Sequence, residues 1–290
     1  MKADPERTAP LTPTEASFPV VVAPRAPTEA ERALYPFVPA EASIRPLIDV
    51  AAAPDGYRRV DLEAGTFGAY LRGLPLRPAE AEVRSYTGAT LRGADDPRVF
   101  AVAEIDVSPL DVQQCADSVI RWHAEWLWSR GEKKKIGYHF LSGDFATYGD
   151  YASGRRPEVK GNKVSWATSA AASDDRKTFR RYLDMVFNYA STISLAIRTQ
   201  KIDRAELEPG DFVVLPGGPG HAILILDVAT NSEGKRVALL GQGFMPAQDF
   251  HVLESQEKGL SPWFSLEGEA IDTPFWPEPF PWTSLRRFAR

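Results

Sequence analysis

Thiols are almost missing from this chain of 290 residues: Cys115 is the single cysteine, so no disulfide can close within it. One thiol also cannot build a zinc finger or a thiolate cluster. Histidine is scarce as well, with only His123, His139, His221 and His251. No two of them stand at i, i+4 around a glutamate, which excludes the zinc-protease helix, and neither a metal nor a cofactor is expected. Basic charge is not in surplus. The 34 Lys and Arg face 39 Asp and Glu for a net charge of −5, so a nucleic acid held through its phosphates is not an expected partner. Long apolar runs are missing too: residues 99–103 and 222–226 stop at Glu104 and Asp227, far short of the roughly 18 residues of a membrane span. No glycine-rich turn follows a strand and opens a helix. Gly217-Gly218-Pro219-Gly220 lacks a following Lys-Ser/Thr, so neither a dinucleotide nor a phosphate loop is expected. Met1-Lys2-Ala3-Asp4-Pro5 opens no apolar signal core. The expected location is the cytoplasm, or the cell envelope or periplasm if an export signal has been removed.

What the chain does have is an ordinary globular apolar share, 43%, ample to offset the entropy of ordering a core. Six prolines interrupt residues 1–34, and proline lacks the amide donor that helices and central strands need, so this stretch reads as a disordered tail or linker. Residues 35–290 read as one α+β domain. Residues 83–86 and 99–107 read as strands. Ser108-Pro109-Leu110-Asp111 carries helix-start signals, and Cys115, Val119, Trp122 and Trp126 follow at helical spacing. Residues 160–175 read as a surface loop and residues 178–199 as the clearest helix. After Pro209-Gly210-Asp211 the pattern turns to strands at 212–215, 221–228 and 236–241, separated by short turns that imply antiparallel neighbours. The tail from Ser261, rich in Pro and Trp, reads as packed loop.

One constellation carries chemistry. Cys115 lies on an early helix, His221 opens a later strand, and Gln242 ends the next. An imidazole beside a thiol favours the thiolate, and a third group at the other ring nitrogen orients the imidazole. With Asp111 as the helix cap, Cys115 falls in the first turn, where the helix dipole lowers its pKa; with Ser108 as the cap it lies two turns in. Gln114 is a candidate oxyanion donor. Tyr148 and Arg155 are candidates to line a groove for a peptide or glycan. Set against this, a lone cysteine on an apolar helix face is often a buried small hydrophobe, and Gln242 can be a strand-end turn former. Gln248 and His251, in the turn-plus-strand segment 245–253, read as structural.

The order Cys, then Gly210-Asp211 and Gly220-His221 before apolar strands, then Gln242, resembles papain-like cysteine hydrolases, and among them the NlpC-type cell-wall amidases. That resemblance implies a helix carrying Cys115 packed on an antiparallel sheet, and a peptide or cell-wall-type substrate. A second likeness covers residues 56–288. Leu71-Arg72-Gly73-Leu74-Pro75-Leu76, Gln114-Cys115-Ala116-Asp117 with Ala124-Glu125, Pro219-Gly220-His221-Ala222, Met245-Pro246-Ala247-Gln248, His251-Val252-Leu253 and Ser261-Pro262-Trp263 resemble a bacterial family, domain of unknown function 4846. Its members often look like exported lipoproteins. The expectation is a Cys–His–Gln hydrolase or acyltransferase acting on an amide. The alternative is a non-catalytic envelope protein or a glycan- or peptide-binding module.

Overall fold

The structure is a computed structural model that describes residues 26–289. Residues 1–25 of the expected tail lie outside the described residues. From residue 26 the chain enters a short helix, Glu29–Ala33, closed by a Thr28–Glu31 capping box.

The central feature is a nine-stranded sheet. Its strands are β1 (Tyr57–Arg59), β2 (Val99–Val102), β3 (Gln200–Lys201), β4 (Phe212–Leu215), β5 (His221–Asn231), β6 (Arg236–Gln242), β7 (His251–Leu253) and β8 (Phe264–Ser265). Two more, β9 (Ala270–Thr273) and β10 (Trp276–Pro281), form a separate hairpin, and β11 (Leu285–Arg287) returns to the sheet. The main order is β3–β11–β4–β5–β6–β7–β2, with β8 beside β6 and β1 beside β5. Every pairing is antiparallel. The short connections of β4, β5 and β6 force that sense.

β5 is the spine because it is apolar on both faces. Ala222, Leu224 and Leu226 join one hydrophobic cluster, while Ile223, Ile225 and Val228 join the other. This is the two-residue alternation of a strand, with a register shift between Ile225 and Asp227. The shift leaves Asp227 buried, where its carboxylate accepts from Arg59 Nε at 2.6 Å and Arg72 Nε at 2.9 Å.

Helix α1 (Cys115–Ser129) covers the first of these faces through Val119, Ile120, Trp122 and Leu127. Trp126 is only half-buried and donates to the Gly65 carbonyl at 3.0 Å. On its flank, Arg121 and Glu125 are fully buried and joined at 2.9 Å. Arg176 forks onto both Glu125 oxygens at 2.8 and 2.9 Å, which ties α1 to helix α2 (Arg176–Tyr189).

Several expectations fail here. The helix read over 178–199 is two helices, α2 and α3 (Thr192–Arg198), because Ala190 turns extended and the Ser191 hydroxyl caps the new start. Residues 160–175, read as loop, contribute to a hairpin of Arg155–Lys160 with Lys163–Thr168. Gly161, at φ +60, opens its two-residue turn. The tail after Ser261 also forms sheet, since Ile271 pairs with Phe280 and both are buried. The papain-like, NlpC-type α+β fold is overturned by the same facts. Strand exceeds helix, 30% against 25%, and the strands are spread over open sheets. The hairpins form from stretches that read as loop on the sequence, residues 160–175 and the tail after Ser261.

Candidate functional site

Cys115 is the first residue of α1, and its N-cap is Gln114, neither Ser108 nor Asp111. Asp111 bonds elsewhere. Its Oδ1 accepts the Ala247 amide at 2.7 Å and the Gln114 side-chain amide at 3.2 Å. Cys115 is 4% exposed. Its S–H donates to the Gly220 carbonyl at 3.8 Å, and the Ala222 amide bonds the sulfur. The thiol is therefore held by the two residues that flank His221. Glycine makes this approach possible. A Cβ on Gly243 would collide with Ser118 Oγ and come within 3.0 Å of the Gln114 carbonyl, so the chain leaving β6 can pass directly beneath the start of α1.

His221, the first residue of β5, turns its ring to the opposite face of the sheet, where the β9–β10 hairpin covers it. Trp276 stacks on the imidazole at 4.9 Å and 21°, with Phe244 edge-on at 4.9 Å. Nε2 lies 2.7 Å from Gln242 Oε1. An amide oxygen only accepts, so Nε2 carries the proton. The Gln242 amide nitrogen lies 3.2 Å from His251 Nε2, and His251 Nδ1 lies 3.1 Å from the Asp249 carbonyl. His221 Nδ1 is buried without a hydrogen-bond partner. The hydrogen bonds of the thiol go to the peptide groups beside His221 and not to its ring.

Burial dominates the electrostatics. It pushes the Cys115 thiol up to about 12, with the Asp117 carboxylate adding to the rise. The Ala222 amide and the amides of the helix start oppose this and are outweighed. Burial takes His221 down to about 4 and His251 down to about 4. Asp117 is pushed up to about 8 by burial although its Oδ2 accepts the Gln114 amide at 3.1 Å. The expected thiolate, lowered by the helix dipole, is thus reversed: near neutral pH the pair is thiol and neutral imidazole. Such a pair can still react, with the proton moving to the imidazole as sulfur attacks.

Cys115 meets the start of β5 from the α1 face of the sheet, His221 and Gln242 pair on the other face at the same end, and Gln114 stands beside the thiol. Tyr148 and Arg155 do not join them. Tyr148 donates to Asp174 at 2.8 Å and packs against Trp128, which lies thirteen residues, about 20 Å, along α1 from the thiol. Arg155 is paired with Asp150 at 2.5 Å. Sequence reasoning missed three neighbours, Asp117, His251 and Trp276. The short connection from β6 to β7 was the available signal for His251, since pairing across it sets His251 opposite Gln242. Trp276 lay in a proline-rich stretch with no strand pattern to place it.

Two surface cavities, of about 420 and 260 Å³, open elsewhere. The first is lined by Arg58, Asp61 and Asn231, the second by Leu34, Ile48 and Leu62, and neither reaches Cys115 or His221. Among the described residues no group of three or more His, Cys, Asp or Glu is placed to hold a metal ion, and no helix is long and apolar enough to cross a membrane.

Fold and site together define a strand-rich protein with a buried cysteine, histidine and glutamine gathered at one end of an antiparallel sheet. The sequence model of a family described as domain of unknown function (4846) matches residues 47–287, and the chain belongs to that family. No curated protein and no solved structure matches it, and the likeness to NlpC-type amidases finds no support.

Proposed function

We propose that this protein is a cysteine-dependent hydrolase or acyltransferase acting on an amide, with a peptide as the substrate class. Cys115 is the nucleophile, His221 the general base and Gln242 the residue that holds the imidazole. The observation that carries this reading is His221 Nδ1. Leaving a buried polar atom unpartnered costs about 1–3 kcal/mol, and here it is left so on the residue whose two neighbours hold the chain's only thiol. Eight buried side-chain polar atoms lack a partner among the described residues, and four belong to Asp117, His221, Thr273 and Trp276, at or around this site. Such a concentration is what a working site shows and a packed core avoids.

In the proposed reaction the Cys115 sulfur attacks the carbonyl carbon while its proton passes, through one water admitted with the substrate at the end of β5, to His221 Nδ1 on the other face of the sheet. The C–N bond then breaks, the amine leaves with that proton, and a thioester remains on Cys115. Water, deprotonated by His221, attacks the thioester and releases the acid in a hydrolase; in an acyltransferase an amine attacks instead and leaves as the new amide. In both, the C–S bond breaks and His221 returns the proton to the Cys115 sulfur. The first-turn amides of α1 are the donors available to a developing oxyanion. The Gln114 side chain would first have to release Asp111. Because thiol and imidazole are both buried, the β9–β10 hairpin or the loop before α1 must part to admit substrate.

A non-catalytic module is the second reading, favoured by the high pKa and burial of the thiol. Incubation with p-nitrophenyl acetate separates the two. The enzyme reading expects a burst of nitrophenolate with an acetyl group on Cys115 by mass spectrometry, lost in Cys115→Ala and slowed in His221→Ala. A thiol that stays unmodified, or is acetylated equally in His221→Ala, would favour the module.

A further inference from the structure

We infer that His251 is a positioning residue which, acting through Gln242, fixes the proton of His221 on Nε2 and keeps Nδ1 free as the base. The inference rests on the proposed roles of Cys115 and His221. Its basis is a chain of hydrogen bonds whose directions are set by chemistry from one end. The Asp249 carbonyl only accepts, so His251 Nδ1, 3.1 Å away, must donate. A neutral imidazole then presents a lone pair at Nε2. That lone pair, 3.2 Å from the Gln242 side chain, selects its NH₂ end. The oxygen end is thereby turned to His221, 2.7 Å from Nε2, and obliges that nitrogen to donate.

The reversed amide shows what His251 prevents. With its NH₂ toward His221, Gln242 would require a lone pair at Nε2 and move the proton to Nδ1, where it would disable the base. The same reversal would set the amide oxygen against the lone pair of His251 Nε2, or require His251 to be protonated on both nitrogens. Burial disfavours that cation and pushes His251 down to about 4. The ring itself is well held. Phe275 meets it edge-on at 5.5 Å, and Arg92 and Arg98 lie over Phe275 at 5.1 and 4.7 Å. All three members of the chain are buried, so no competing water is needed to complete it.

The test is ¹⁵N spectroscopy of histidine-labelled protein at pH 7, which reads which ring nitrogen is protonated. The unmodified protein should show opposite tautomers, His221 protonated on Nε2 and His251 on Nδ1. The same tautomer at both positions, or His221 protonated on Nδ1, would overturn the inference with no variant needed. In His251→Phe the amide loses its anchor. A Nδ1-protonated population of His221 should then appear, and acetylation of Cys115 should fall about twofold or more, as two amide orientations share the site. His221 remaining wholly Nε2-protonated in a folded His251→Phe protein would contradict the role. Opposite tautomers in a protein whose Cys115 never acetylates would instead defeat the acyl-transfer reading and leave the relay standing.

Discussion

Two of the polar clusters buried against the central sheet are completed to different degrees. On the flank of α1, Arg121 bonds Glu125, Asp106 and Gln113, while Arg176 and Arg180 bring further donors from α2 to the same acceptors. Each charge there has its counter-charge, and the result is the docking of one helix on another. At the end of β5 the chain from Asp249 through His251 and Gln242 to His221 is just as ordered, yet it stops at a bare Nδ1. Completeness marks the first cluster as architecture. The one open position marks the second as a place where a proton can be received.

The largest effect should come from breaking the complete cluster. Glu125→Ala strands Arg121, which is 0% exposed, with Asp106 as its remaining carboxylate. Removing one partner of a buried pair costs about 3–5 kcal/mol, which a denaturant midpoint would show. A loss below about 1 kcal/mol would mean that the network does not hold α1 to α2.

Acid comes next. His123, His221 and His251 are held at about 3, 4 and 4 by burial. Depressed histidines contribute stability that is full above about 6.5 and is lost as pH falls toward their folded values. Asp117, raised to about 8, acts in the opposite sense: its contribution is full below about 4 and is lost as pH rises through 8. Between pH 6.5 and 4 three protons favour the unfolded chain against one favouring the folded. Stability should therefore fall by roughly 2–3 kcal/mol per pH unit. A flat profile in urea titrations over that window would show that these imidazoles are not buried as described.

Two smaller effects sharpen the open end of the relay. Trp276→Ala removes the ring stacked on His221, so its pKa should rise by about one unit toward the ordinary value in an NMR titration; no change would assign its desolvation to other neighbours. Asp117→Asn removes a charge that disfavours the thiolate. Labelling of Cys115 should speed up a few-fold above pH 8 and change little at pH 6, where Asp117 is already neutral. Equal acceleration at both values would contradict the coupling.

Much of the open cluster was legible in the sequence, because strand spacing and short turns bring His221 and Gln242 onto neighbouring strands. The electrostatics were not. A helix start suggests a low thiol pKa, but depth of burial is a property of the whole fold, and Phe244, Phe280 and Trp276 come from far along the chain. Tyr148 and Arg155 depart from expectation for a related reason. Sequence alone suits them to an exposed groove, while the structure gives Tyr148 to an aromatic cluster with Phe179 and Tyr182 and Arg155 to Asp150. The fold class failed where local signals were weakest. Extended Ala190 ends a helix whose apolar period runs on to Ile197, with Ser191 capping a second one, and alternation of Val159, Val164 and Trp166 among charged residues builds a hairpin from a stretch with the polarity of a loop.

Whether the open nitrogen serves the thiol is tested most directly by the rate at which iodoacetamide labels Cys115 at pH 7, in the unmodified protein and in His221→Ala. If Nδ1 receives the thiol proton, the unmodified protein should label about tenfold faster or more, and the gap should narrow at pH 10, where hydroxide takes the proton instead. Equal rates at pH 7 would contradict the account, and Cys115 would then be a core residue that happens to lie beside a histidine.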